Sequence, residues 1–249
     1  MTASAEPFTA FGDGEKLVYR VSWGIIGAGR ITITAKAETG LDGKPLMLIT
    51  NSMSSRGMVR GLYRFDNTAE VIIERDTGRM LSTHEKGVER NNNTESRTDF
   101  DYAAGVAHHT DTHRPNRNVD IPLKADDLPM DLISALVQTR RWNMKPGDSR
   151  DVLVHFGREL YPVTIHAIGI EEVNTSLGDF QALLLSPRME KEPPRGLFKR
   201  GGEIKVWIAA QGDVTLPVKM QLKLGFGSAT LILAERTPPT AEQKPTAKP

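Results

Sequence analysis

Histidine offers the most versatile chemistry in this sequence, because an imidazole can bind a metal or move a proton near neutral pH. His108, His109 and His113 fall together in AHHTDTH with Asp111, and His84 lies on an earlier segment. On an extended strand His109, Asp111 and His113 would point to one face at i, i+2 and i+4. That spacing could supply three metal ligands. The alternative is a solvated edge or loop, which suits so polar and turn-rich a stretch, and no metal is assigned. His155 and His166 flank Gly157 in otherwise apolar runs. They could pair across a hairpin or sit as two satisfied sheet histidines.

Arginine forks suit phosphate and carboxylate groups such as those of lipid headgroups or acidic glycans. Arg56, Arg60 and Arg64 recur at helical spacing, though Gly57 and Gly61 oppose a helix there. Arg188, Lys191, Arg195, Lys199 and Arg200 surround Pro193-Pro194, diluted by Glu190, Glu192 and Glu203. A solvated surface is the plainer reading of both groups. The carboxylate pairs Asp126-Asp127 and Glu171-Glu172 are adjacent in sequence, which on a strand sends them to opposite faces. A glycosidase needs two carboxyls facing each other across about 5–10 Å. Ser134 lacks the glycine frame of a nucleophile elbow and reads as a small residue where a helix meets a sheet.

The run WGIIGAGRI, with Gly24, Gly27 and Gly29, imitates a dinucleotide fingerprint. That motif needs a helix after it. Ile31-Thr32-Ile33-Thr34 is β-branched and alternating, which is strand material. The second run, Met47 to Asn51, also lacks the acidic end that a ribose requires. The glycines therefore read as a hairpin turn, and no cofactor is assigned.

The elements that must position these groups are strands. In EKLVYRVSW, Leu17, Tyr19, Val21 and Trp23 share one face, and RITITAKAE alternates in the same way, so the two form a hairpin. Similar runs follow the Asp42-Gly43, Asp66-Asn67 and Thr77-Gly78 turns and continue to SATLILAE. Roughly a dozen strands at spacings of about 8–12 residues predict a sandwich, barrel or curled sheet. One segment differs. In DDLPMDLISALVQTRRW the residues Leu132, Ile133, Leu136 and Val137 recur at helical spacing, Pro129 sits early and Pro146-Gly147 ends the run. It predicts an amphipathic helix of about three turns, laid on the sheet or plugging it.

Composition sets the outer limits. An apolar fraction of 39% suits half-solvated strands. Against 31 acidic residues stand 32 basic ones, so no global field draws the chain to nucleic acid or an anionic membrane. With no cysteine there is neither disulfide nor thiolate chemistry. No stretch approaches the roughly 20 apolar residues of a membrane helix. Ala3-Ser4-Ala5 before Glu6-Pro7 is similar to a signal cleavage site, so the expectation is a start near a mature terminus. Residues 1–10 are expected to be a flexible segment, 11–235 one β-rich domain, and the Pro-rich stretch 236–249 a disordered tail.

Four motifs in order resemble an uncharacterised bacterial envelope family, domain of unknown function 3108. They are the opening EKLVYRVSWGIIGAGRITI; the helix MDLISALVQTR through Asp131, Ser134, Ala135, Leu136 and Arg140; SLGDFQALLLSP through Leu177, Gly178, Phe180 and Ala182; and the closing strands with Trp207 and Leu216-Pro217-Val218. Where the family has an aromatic pair after Ala135-Leu136, this chain has Val137-Gln138. The resemblance spans about Phe11 to Ala234. It implies an exported, β-rich, periplasmic or extracellular protein and no agreed activity.

The sequence thus predicts an all-β fold: a curled antiparallel sheet or open barrel of about a dozen strands, with the helix on its concave side. The leading functional reading is a non-enzymatic envelope protein holding a lipid-like or glycan ligand in an apolar cleft, lined by Tyr19, Trp23, Trp142, Trp207 and Arg140. The alternatives are a carbohydrate-active enzyme and a scaffold that recruits a partner by strand addition. An apolar tunnel would favour lipid, an aromatic shelf with carboxylates would favour sugar, and a filled core would favour the scaffold. Oligomeric state is left open.

Overall fold

A computed structural model describes residues 7–211, 214–225 and 227–240. The strands run β1 (Lys16–Trp23), β2 (Ile26–Thr39), β3 (Pro45–Ser55), β4 (Phe65–Glu74), β5 (Met80–Glu89), β6 (Asn92–Asp101), β7 (Val106–Asp111) and β8 (Val119–Pro122), with a short helix α1 (Gly57–Leu62) after β3. The second half comprises β9 (Pro129–Asp131), helix α2 (Leu132–Gln138), β10 (Ser149–Phe156), β11 (Glu159–Thr175), β12 (Gly178–Arg188), β13 (Glu203–Gln211), β14 (Val214–Leu224) and β15 (Gly227–Thr237).

All fifteen strands form one open sheet in the order β8-β7-β6-β5-β4-β3-β2-β1-β15-β14-β13-β12-β11-β10-β9. The chain starts in the middle, steps outward to β8, jumps to the opposite edge at β9 and steps back to the middle. That jump runs only from Pro122 to Pro129, a reach of about 25 Å at most. A flat sheet of this width would put its edges roughly 65 Å apart. The sheet must therefore bend until its edges approach. They do: the Phe100 ring of β6 meets the His155 ring of β10 edge-on, with centroids 5.3 Å apart. No ladder joins β8 to β9 among the described residues, so side chains and one loop span the seam.

Three details depart from the sequence reading. Fifteen strands replace a dozen because β8 and β9 are four and three residues long, too short to show a period. β9 pairs with β10 in parallel, the exception in an otherwise antiparallel sheet, and the connection between them carries α2, as a parallel crossover requires. The helix also starts later than expected. Asp131 is its N-cap, its Oδ1 accepting from the Ile133 and Ser134 amides at 2.9 and 3.1 Å, while Pro129 lies in β9. A 3-10 turn over Thr139–Arg141 extends it.

The core lies on the concave side, where Leu17, Tyr19, Ile31, Ile33, Met47 and Ile49 alternate inward and meet Ala135 and Val137 of α2. Residues near both limits of the described chain are packed or paired. Phe8 and Ala10 are buried, and the Phe8 amide donates to the Arg75 carbonyl at 2.7 Å, so this part of the 1–10 segment is packed. Arg236 and Thr237 continue β15 opposite Leu17 and Lys16, and the Thr240 amide donates to the Asp13 carbonyl at 2.8 Å. Residues 1–6 and 241–249 of the expected tails lie outside the described residues.

Candidate functional site

The five residues expected to line one cleft are distributed over the molecule. Tyr19 is fully buried, its hydroxyl donates to the Pro217 carbonyl at 2.8 Å, and burial pushes its pKa far above the ordinary phenol value. Arg140 is buried beside it. Its fork holds both oxygens of Glu15 at 2.9–3.0 Å, its carbonyl accepts from the Thr215 hydroxyl at 2.5 Å, and its guanidinium lies 5.5 Å from the Phe11 ring centre. Both therefore hold the core together instead of lining a cleft. Trp207 is buried too, its indole N–H donating to Glu171 at 2.7 Å and its ring covered by the Lys219 ammonium at 4.3 Å. Trp23 is half-buried at the other end of β1, so close to Gly227 that a Cβ there would come within 2.5 Å of the indole. Trp142 borders an open groove.

The histidine cluster separates as well. β7 ends at Asp111, so His113 falls in the following loop and is exposed, while His109 and Asp111 are buried. Asp111 accepts from the His113 and Arg114 amides and from Arg114 Nε at 2.9 Å, which makes it a turn-capping group. His109 Nδ1 bonds Thr98 Oγ1 at 2.9 Å. No trio of His, Asp and Glu side chains converges as metal ligands among the described residues. His155 and His166 do not face each other: β10 and β11 pair His155 with Leu160 and His166 with Ser149. Burial, and then the charge of His109, depress His155 to a pKa of about 4.

The glycine motif is the hairpin its sequence predicts. Gly24 takes a positive φ of 57° in the β1–β2 turn. Gly29 sits opposite Ser55, where a Cβ would stand 2.4 Å from the Ser54 carbonyl oxygen. Close approach of a neighbouring strand, and not of a pyrophosphate, explains this glycine.

Two cavities differ sharply. Between α2 and β10–β13 an apolar pocket lined by Leu132, Ala135, Val163, Ile165, Phe198 and Ile204 measures about 30 Å³, room for no more than a few water molecules. An open groove of about 680 Å³ runs where the β8–β9 loop passes beside β10 and β11. Met130, Leu160, Pro162 and the half-buried Trp142 give it apolar wall, and Lys124, Asp126, Asp127, Arg150 and Asp151 give it polar groups. The Arg150 guanidinium lies over the Trp142 ring at 4.6 Å. Asp151 accepts from Lys191 Nζ at 2.6 Å and from the Thr164 hydroxyl at 2.7 Å, and these bonds hold it below the usual carboxylate range. It is thus an ionised acceptor. An aromatic side chain beside a few placed polar groups is the usual make-up of a small-ligand site. Within the groove the sequence pointed to Trp142 and noted Asp126-Asp127, but missed Arg150 and Asp151, whose approach depends on the seam.

One titratable pair was also invisible in the sequence. Glu85 of β5 and Asp131 of β9 meet across the seam; burial, then the charge of Asp131, raises the pKa of Glu85, and burial raises that of Asp131 against the bonds it accepts. Neither lines the groove.

Among solved structures, the chain is similar in fold to a β-barrel-like protein of domain of unknown function DUF1849 from Brucella abortus, at 9% identity and a TM-score of 0.54, covering 95% of this chain and 99% of that one. Weaker likeness is found to a "putative exported protein with YmcC-like fold" from Bacteroides fragilis (12% identity, TM-score 0.34, 94% and 99% covered) and a "putative lipoprotein" from Parabacteroides distasonis (9%, 0.34, 95% and 100%). No curated protein matches the sequence. A family model described as protein of unknown function (DUF3108) matches residues 18–234.

Proposed function

Since the chain belongs to the DUF3108 family, we propose that it is a cell-envelope protein that binds a glycan-type ligand in the groove at Trp142. The observation that carries this reading is the contrast between the two cavities. The apolar pocket of about 30 Å³ has no room for an acyl chain, whereas the groove of about 680 Å³ lies within the ordinary range for small-ligand sites and, unlike an open groove of about 620 Å³ elsewhere on the sheet, has an aromatic wall. The groove's wall also has the right chemistry. Trp142 presents an aromatic face, Arg150 and Lys124 donate, and Asp126, Asp127 and Asp151 accept. The envelope location is the one implied by the family resemblance.

The reading is tested with a panel of neutral and acidic bacterial oligosaccharides, monitoring binding by isothermal titration calorimetry. A buried tryptophan anchor contributes about 2 kcal/mol, so Trp142→Ala should weaken binding about 30-fold. Removing Trp23, far from the groove, should leave affinity within about twofold. Equal loss in both variants, or no saccharide bound by the parent chain, contradicts the proposal.

A further inference from the structure

At the end of the barrel where β1 turns into β2, the chain exposes apolar side chains that neither the core nor the groove uses. Ile25 stands fully exposed at the apex of the turn with Ile26 beside it, and Met58 and Leu62, one helical turn apart on α1, are 74% and 81% exposed. No residue of α1 is buried. Val59 is half-buried, whereas Met58 and Leu62 point to solvent. α1 packs alongside the start of β2, and the Arg56 amide before it donates to the Ala28 carbonyl at 2.8 Å. The four side chains therefore belong to one protruding tip.

Cations surround that tip. Arg60 and Arg64 share the single carboxylate of Asp66, at 2.6 Å from Arg60 Nη1 and 3.1 Å from Arg64 Nε. Arg56 is exposed and has no ion pair among the described residues. The β5–β6 turn adds Arg90, whose amide donates to the Arg64 carbonyl at 2.7 Å and whose guanidinium lies over the Tyr63 ring at 5.0 Å. Glu89, bonded to the Tyr63 hydroxyl, is the other nearby acid. Four arginines thus face two carboxylates. Beneath them lies an open groove of about 620 Å³ on the outer face of the sheet, where Arg56 stands beside Arg30 and Lys86, which are paired with Glu235 and Glu95 at 2.8 and 3.8 Å.

We propose that this tip docks on an anionic lipid bilayer, with Ile25, Ile26, Met58 and Leu62 entering the headgroup–acyl boundary and Arg56, Arg64 and Arg90 meeting the phosphates. Large apolar side chains at an apex with a cationic collar are the arrangement that binds an interface, where insertion and headgroup attraction add. Trp23, two residues before Ile25, and Tyr63, next to Leu62, are half-buried amphipathic rings of the kind enriched at bilayer interfaces. A fluid interface accommodates a convex tip without a preformed groove. The whole chain has a net charge of only +1, so the attraction is local and fades within about a Debye length.

Co-sedimentation of the full chain with large vesicles, of phosphatidylcholine alone or mixed with phosphatidylglycerol, tests the proposal. Binding should appear on the mixed vesicles, fall with added salt, and drop at least about tenfold in Ile25→Asn/Leu62→Asn and in Arg56→Glu/Arg64→Glu. Ile25 and Leu62 are exposed, so the thermal unfolding transition of the apolar variant should match that of the parent, and that of the arginine variant, which loses the Arg64–Asp66 pair, should stay within a few degrees of it. Absence of binding to the mixed vesicles overturns the proposal, as does undiminished binding by the apolar double variant. So does a dimer in sedimentation velocity that Ile25→Asn/Leu62→Asn disperses, which would make a second copy the occupant of the tip.

Discussion

Replacing Arg140 by Met leaves Glu15 as a carboxylate with no solvent exposure and its main partner gone. Breaking one side of a buried ion pair costs about 3–5 kcal/mol, since the remaining charge keeps its desolvation penalty without its Coulombic return. Two contacts soften the loss. Arg236 Nε stands 3.9 Å from Glu15 Oε1, and the Gly12 amide donates to Oε2 at 3.2 Å. The lower end, about 3 kcal/mol, is therefore expected. For a chain of this size that corresponds to a melting temperature lower by about 6–12 °C. The consequence is structural as well, because the pair ties the entry to β1 to the turn after α2, which the Thr215 hydroxyl then fastens to β14. Urea unfolding by far-UV circular dichroism should give a lower midpoint with an unchanged slope. Glu15→Leu combined with Arg140→Met removes both charges and should recover most of the loss. A single variant within about 1 kcal/mol of the parent, or a double variant no better than the single, refutes the reasoning.

Other consequences follow from the same geometry. His155 is depressed to about 4 in the folded protein, against about 6.5 when unfolded. The unfolded chain therefore takes up the proton first, and up to about 3 kcal/mol of stability is present above pH 6.5 and lost as the pH falls towards 4. His155→Phe should flatten that part of the pH–stability curve, and an unchanged curve contradicts the assignment. Glu85 has the opposite sign: its folded pKa is raised, so its contribution is full below the unfolded value and lost as pH rises through the folded one. Glu85→Gln should raise the melting temperature at pH 7 and leave it unchanged at pH 4. Gly29→Ala should cost about 1–3 kcal/mol in chemical unfolding, because its Cβ would stand 2.4 Å from the Ser54 carbonyl; a neutral result would mean that β3 yields easily.

Much of the fold is legible in the sequence because alternation is a local signal. Leu17 and Tyr19 announce β1, Ile31 and Ile33 announce β2, and both pairs are buried where the period places them. The β-branched run after Gly29 likewise excludes the dinucleotide motif without reference to any distant contact. β8 and β9 are hidden because three or four residues carry no period, and their places depend on the seam that they form. The site is less legible for a related reason. Aromatic type identifies a residue able to hold a ligand, but Trp207 and Trp142 look alike in sequence, and only the strand beside each decides which is covered. Trp207 is buried against Lys219 from β14 and Glu171 from β11, whereas Trp142, in the connection after α2, is half-buried with Arg150 over its ring and borders the groove. Arg140, placed by sequence among ligand-binding groups, is claimed by Glu15 across 125 positions, a pairing that no local pattern encodes.

The most direct test of the groove is mass spectrometry of aqueous and organic extracts from the protein purified gently out of a bacterial envelope, beside its Trp142→Ala variant. A saccharide should be retained in about one-to-one ratio by the parent and lost from the variant. A stoichiometric lipid in the organic phase, unaffected by Trp142→Ala, would contradict the proposal.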